Sequence, residues 1–258
     1  MSLLKAWSCW QPSTAPFLLD ADIPAFEKHL KPKNLQVTLE SWEAARDSND
    51  FCSPIDSRFH MGLLPQPFMG NVSNAKVYVL LLNPGLGPHD YYAEYQVTAY
   101  REALMRNLHQ SFRSDDLPFL FLDPKYAWHG GFTWWQGKLA QVIQSLSQSR
   151  KCSFAEAQRY ISLNLASIEL VPYHSKSFKA PSRFIEDLES AKLARHFVNH
   201  HVLPRVRNKE AIVIVTRRVN EWGLTERDGV ILYDKNQARG AHLSLASKGG
   251  RAILEFLS

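Results

Sequence analysis

The chain has 258 residues, of which 45% are apolar and 21% charged, a balance that supports a sizeable globular core. Its longest apolar run, Val77 to Leu82, is six residues, far below the roughly 20 that a membrane-spanning helix needs. A net charge of +5 permits an acidic partner such as nucleic acid without requiring one.

No basic segment followed by a long apolar stretch opens the chain, so no signal peptide is expected. Cys9, Cys52 and Cys152 are far apart and odd in number. They fit neither a disulfide framework nor a metal knuckle, and a reduced cytoplasmic setting is the simplest expectation. Residues 1 to 70 are rich in Pro, Ser and aromatics. Helices are expected near Ile23 to Leu30 and Leu39 to Arg46, followed by irregular chain from Phe51 to Gln66, punctuated by Pro54 and Pro65.

Val77 to Leu82 stops at Asn-Pro-Gly, as a strand buried on both faces does. Ser167 to Val171, Ala211 to Thr216 and Val230 to Tyr233 are three further strand candidates. Between them, Thr133 can cap a helix carrying Trp135, Leu139, Val142, Ile143 and Leu146 on one face. Ser153 and Glu156 form a capping box that opens a second helix with Ala157, Tyr160 and Ile161 inward. Ser182 can cap a third that reaches His201 before Pro204. Alternating strands and helices predict an α/β fold with a four-stranded, mostly parallel sheet flanked by helices on both faces. One domain over 1–258 suffices, with 1–70 an N-terminal extension packed on it.

Ligands of open α/β sheets sit at the carboxyl ends of strands, which directs attention to Asn83-Pro84-Gly85-Leu86-Gly87 and on to Tyr91 and Tyr92. A strand-ending turn accounts for Asn, Pro and Gly on conformational grounds alone. A dinucleotide fingerprint fails at its third glycine, where Asp90 stands with the wrong sign for a pyrophosphate, and Pro84 and Pro88 lack backbone donors. From Lys176 to Lys209 there are eight Lys and Arg against three acids. That stretch reads equally as a solvated helix face or as a surface tracking phosphates, whose DNA binding would weaken with salt. His196 and His200 can share a helix face, but no acid stands at ligand spacing, so no metal is expected.

Leu82-Asn83-Pro84-Gly85-Leu86 resembles the first motif of the uracil-DNA glycosylase superfamily, above all its mismatch-specific branch, written G-I-N-P-G-L. Arg239-Gly240-Ala241-His242-Leu243-Ser244, after the last strand, is similar in place and in its Leu-Ser ending to that superfamily's second motif. Ile168-Glu169-Leu170-Val171-Pro172 stands where the superfamily has its middle strand and base-reading asparagine. The chain departs from the pattern at Leu81 (a glycine there), at Arg239 (the catalytic His or Asn) and at Glu169.

The resemblance implies a uracil-DNA glycosylase-like fold and a DNA base-excision hydrolase of an N-glycosidic bond, with DNA as partner and no cofactor. It implies that Asn83 orients the attacking water, that Arg239 or His242 faces the departing base anion, and that Leu243 intercalates, with Ser244 beside it. Glu169 can accept from an exocyclic amine, activate water or pair with an arginine. Tyr91, Tyr92 and Trp134 are candidates to stack on a flipped base, Pro84, Gly85 and Leu86 to line its pocket, and His174 to share that cleft. A non-catalytic nucleic-acid or nucleotide-binding protein of the same fold, and a small-molecule hydrolase using Glu169 and His174, stand as alternatives.

Overall fold

The computed structural model describes residues 1–11, 14–29, 36–49, 51, 56–238 and 240–258. The expectations placed on Leu30, Cys52, Pro54 and Arg239 lie outside them. The chain divides into two compact units, one of Met1–Pro67, Leu82–Gln110 and Glu169–Phe197, the other of Phe68–Leu81, Ser111–Ile168 and Val198–Ser258.

The second unit holds the main sheet. Its strands are β3 (Phe68–Met69), β4 (Val77–Leu81), β5 (Leu165–Glu169), β6 (Ile212–Val215) and β7 (Val230–Leu232), in the order β3-β5-β4-β6-β7. The expectation of four strands is corrected to five, and of a mostly parallel sheet to a mixed one. β3 pairs antiparallel with β5 at the edge. It was missed because two residues behind Pro65 and Pro67 are too short to show a period. β4, β6 and β7 run parallel, and every residue of β4, β5 and β6 is buried, as continuous apolar runs require.

Helices cover both faces of this sheet. Tyr78 stands opposite Val213 and Val79 opposite Ile214, and side chains alternate faces along a strand. Arg205, in the helix Leu203–Arg207, reaches the Tyr78 hydroxyl at 2.6 Å on one face. Gly249, in the helix Lys248–Leu257, lies against the other, where an added Cβ would stand 3.0 Å from Ile214 Cγ2.

The helix Gly130–Ser149 buries Trp135, Leu139, Val142, Ile143 and Leu146 as their spacing predicts. Its cap is His129 rather than Thr133: His129 Nδ1 accepts from Gly131 N–H at 3.0 Å. Gly130 and Gly131, poor helix formers, masked the first turn in the sequence. The capping box of Ser153 and Glu156 opens Phe154–Asn164 as expected, burying Ala157 and Ile161. Tyr160 is half-exposed instead, its ring 4.0 Å from the Arg150 guanidinium.

The first unit carries Gln36–Val37 (β1) and Phe59–His60 (β2), paired in parallel, and helices at Ile23–His29, Trp42–Asp47, Pro88–Gln96 and Thr98–His109. The helix expected from Ser182 to His201 is broken. Ser182–Asp187, capped by Pro181, ends at Leu188, which turns to ψ 124° and is fully buried. Glu189–Phe197 begins anew after it. Pro204 sits in the first turn of the helix Leu203–Arg207, directly after a π-helical turn at Val198–Val202, since a helix's first turn tolerates a missing N–H.

The segment after β7 seats the C-terminal helix. A Cβ on Gly250 would overlap the carbonyl oxygens of Leu243 and Ser244, which are main-chain atoms with little freedom to move. Gly250→Ala is therefore expected to destabilise the protein by about 1–3 kcal/mol in urea unfolding, as overpacking does. An unchanged midpoint would contradict that seating.

Candidate functional site

The loop after β4 is held by the segment Glu169–Ser175 of its own unit. Val171 N–H donates to the Leu82 carbonyl at 2.8 Å and Ser175 N–H to that of Pro84 at 3.4 Å. On its far side the same segment is bonded to the N-terminal region. His60 N–H donates to the His174 carbonyl (2.9 Å), Gln66 N–H to that of Pro172 (2.8 Å), and Glu169 N–H to that of Pro67 (2.9 Å). His60, Gln66 and Pro67 are thus tied into this unit by main-chain bonds.

Within that frame the Asn83 amide is fixed. Its Nδ2 donates to the carbonyls of Pro84 (2.9 Å) and Tyr173 (3.4 Å) and lies 2.9 Å from Ser175 Oγ. Two carbonyls only accept, so the nitrogen must face them and Oδ1 must point away. Among the described residues Oδ1 has no hydrogen-bond donor, and Asn83 is partly open to solvent. His174 is buried, and its Nδ1 lies 2.8 Å from the Gly85 carbonyl, so that nitrogen carries the proton. Gly85 is exposed, with open space where a Cβ would be.

Asn83, Pro84, Gly85 and His174 thus lie together in one unit. Glu169 lies at the end of β5 in the same unit with its carboxyl buried. Leu86 packs on the cluster of Ala45, Leu63 and Tyr91. Asp90 accepts from Gly87 N–H at 2.6 Å, occupying a donor that a phosphate would need.

The aromatic candidates divide. Tyr91 is fully buried, with its hydroxyl 3.1 Å from His60 Nδ1 and its ring parallel to Tyr95; it is a packing residue, with no face open for a base. Tyr92 is 42% exposed and leans edge-on against Trp42. In the second unit Trp134 is 38% exposed, with Lys138 Nζ 5.1 Å above its ring. There too His242 is exposed, and its carbonyl accepts from the Tyr233 hydroxyl. Ser244 is half-buried, and its carbonyl accepts from Ser247 N–H and Oγ. Leu243 is fully buried, whereas a wedge needs an exposed side chain; in this conformation it packs.

The basic stretch is partly committed. Arg205 is engaged by the Ala75 carbonyl (2.8 Å) and the Tyr78 hydroxyl, and Lys192 stands 3.5 Å from Glu189. Lys179, Arg183, Arg207 and Lys209 are exposed. His201 donates from Nε2 to the Ser73 carbonyl at 3.0 Å, which places it in a structural bond. No helix among the described residues is long and apolar enough to cross a membrane.

Two groups escaped the sequence reading. Asp22 is fully buried and accepts from the Tyr173 hydroxyl (2.6 Å) and Ser190 N–H (2.9 Å). Burial pushes its carboxyl up, opposed by those bonds, and pushes the Tyr173 phenol well above its ordinary value. Neither residue stands in a motif. Asp22 meets the N-terminus of the helix that starts after Leu188, a break without a sequence signal.

Glu94 is the other. Its Oε2 accepts from Leu64 N–H at 2.9 Å and lies 3.5 Å from Arg101. Comparison with known proteins adds nothing to this geometry: no family model, no curated protein and no solved structure matches the chain.

Burial pushes the Glu94 carboxyl up to about 8, against the pull of Leu64 N–H and Arg101. The 3.5 Å approach of Arg101 favours the charged form, but burial outweighs it: Glu94 is 3% exposed. Between the ordinary value of 4.5 and about 8 the folded state holds a proton that the unfolded chain has lost. This group's contribution to stability therefore falls as pH rises through that window. Unfolding free energies from urea titrations are expected to decline more steeply there in the parent than in Glu94→Gln. Equal slopes would contradict a buried neutral Glu94.

Proposed function

We propose that the chain is a DNA base-excision glycosylase-like hydrolase, acting on the N-glycosidic bond of uracil or a related damaged base, and a divergent relative of the mismatch-specific uracil-DNA glycosylases. The observation that carries this reading is the Asn83 amide in the loop after β4, whose nitrogen is tied to two carbonyls so that its oxygen points away from them. The sequence Leu82-Asn83-Pro84-Gly85-Leu86 and the α/β layering support it.

In this reading Asn83 Oδ1 accepts a hydrogen bond from water and aims the water oxygen at C1′ of the deoxyribose. The bond from C1′ to the base nitrogen breaks, and the base leaves with the electron pair. The new bond forms from water to C1′, while the water's proton passes to solvent and the base takes one up. Glu169, in the unit that carries Asn83, accepts from the base's exocyclic group. An amide takes no proton, so turnover is slow; a positioned base typically contributes about 10²–10⁴-fold.

A second reading, a non-catalytic nucleic-acid or nucleotide-binding protein of the same fold, draws on the burial of Leu243. Without a wedge, a base already outside a duplex is the easier target.

Oligonucleotides carrying uracil, hypoxanthine or mismatched thymine, treated with alkali after incubation, report base release directly. The parent is expected to release at least one of these bases, and Asn83→Ala to lose about 10²-fold in rate, the scale of a misplaced reactant. Gly85→Tyr is expected to fold normally, since the space at Gly85 is open, and to narrow the substrate range. Release by Asn83→Ala at the parent rate would remove the loop from the chemistry, and no release by the parent would leave the binding reading.

A further inference from the structure

We infer that Asp22 and Tyr173 are positioning residues that hold the Asn83 amide in place from the N-terminal region. The inference rests on the reading of Asn83 as the group that orients water, and it assigns a purpose to chain that no motif covers. Leu19 precedes and Asp22 ends the 3-10 turn Asp20–Asp22, which leads into the helix Ile23–His29, and both are more than 150 residues from Tyr173 in sequence.

The Tyr173 hydroxyl has one proton and accepts through its lone pairs. The proton goes to Asp22 Oδ2 at 2.6 Å, and Leu19 N–H donates to the oxygen at 3.2 Å. Asp22 Oδ1 is itself taken by Ser190 N–H. The ring is packed edge-on by Phe26 and Phe59. Tyr173 is thereby fixed at its hydroxyl, ring and main chain together.

Its carbonyl and the Oγ of Ser175 are two of the three groups around Asn83 Nδ2. Between them, His174 ties the Gly85 carbonyl from the same segment. A shift of Tyr173 is transmitted to Asn83 over two covalent steps of main chain. A hydroxyl buried at the far end of a tyrosine does more than fill space here: packing alone would be met by phenylalanine, which takes the Tyr173 donor from Asp22 and leaves it that of Ser190 N–H.

The test uses Tyr173→Phe and Asp22→Asn in the full chain, read by the side-chain ¹⁵N–¹H pair of Asn83 and by single-turnover base release. Both variants are expected to move the Asn83 amide signals toward those of a solvated amide and to speed their exchange with solvent. Base release is expected to slow about tenfold or more, with substrate affinity little changed. Val206→Ala, a cavity-forming change in the other unit, serves as control for general loss of stability and is expected to leave the amide signals in place. Unmoved signals in folded Tyr173→Phe and Asp22→Asn would overturn the inference, as would equal movement in Val206→Ala. A parent that releases no base would instead defeat the proposed function, while the amide signals still decide the positioning.

Discussion

The main chain of Glu169 to Ser175 cannot be buried unless its polar groups find partners, and the partners come from both sides. One side is the N-terminal region, through His60, Gln66 and Pro67. The other is the loop after β4, through Leu82 and Pro84. Apart from His60, at the end of β2, these neighbours lie outside strands, so the segment acts as the shared rail on which both are registered. The placement of Asn83 follows from this, because Tyr173 and Ser175 lie on the rail and meet its amide.

Buried acids sit at the joints of this arrangement. Asp22 joins Tyr173 to the N-terminus of the helix Glu189–Phe197, and Glu94 joins the helix Pro88–Gln96 to Leu64. A buried carboxyl is costly unless it is hydrogen-bonded, and both are bonded to main-chain N–H groups. Each carboxyl ties segments distant in sequence and raises the penalty for any other register.

Much of the sheet was legible because burial on both faces leaves a plain mark: Val77–Leu82 and Ala211–Val215 are uninterrupted apolar runs bounded by polar residues. The helix faces around Leu139 and Ala157 were legible for the same reason, through their period. β3 was not, since its two residues carry no period, nor was the break at Leu188, whose side chain stays apolar and buried on either side of the turn. Asn83, Gly85 and His174 could be associated from strand-end placement alone. Tyr91 and Leu243 could not be judged, because an aromatic or a leucine beside a motif reads alike whether it is exposed or packed, and here both are packed. Asp22 carried no signal because its partners lie in a remote segment.

Hydrogen exchange at single amides measures the shared rail most directly. In the intact chain the amides of His60, Gln66, Glu169 and Val171 are predicted to exchange together and slowly, through the same opening that unfolds their unit. Exchange of Val171 at the rate of an exposed loop, while His60 and Gln66 remain protected, would contradict the account, for it would mean that the loop bearing Asn83 is not held by the segment assigned to hold it.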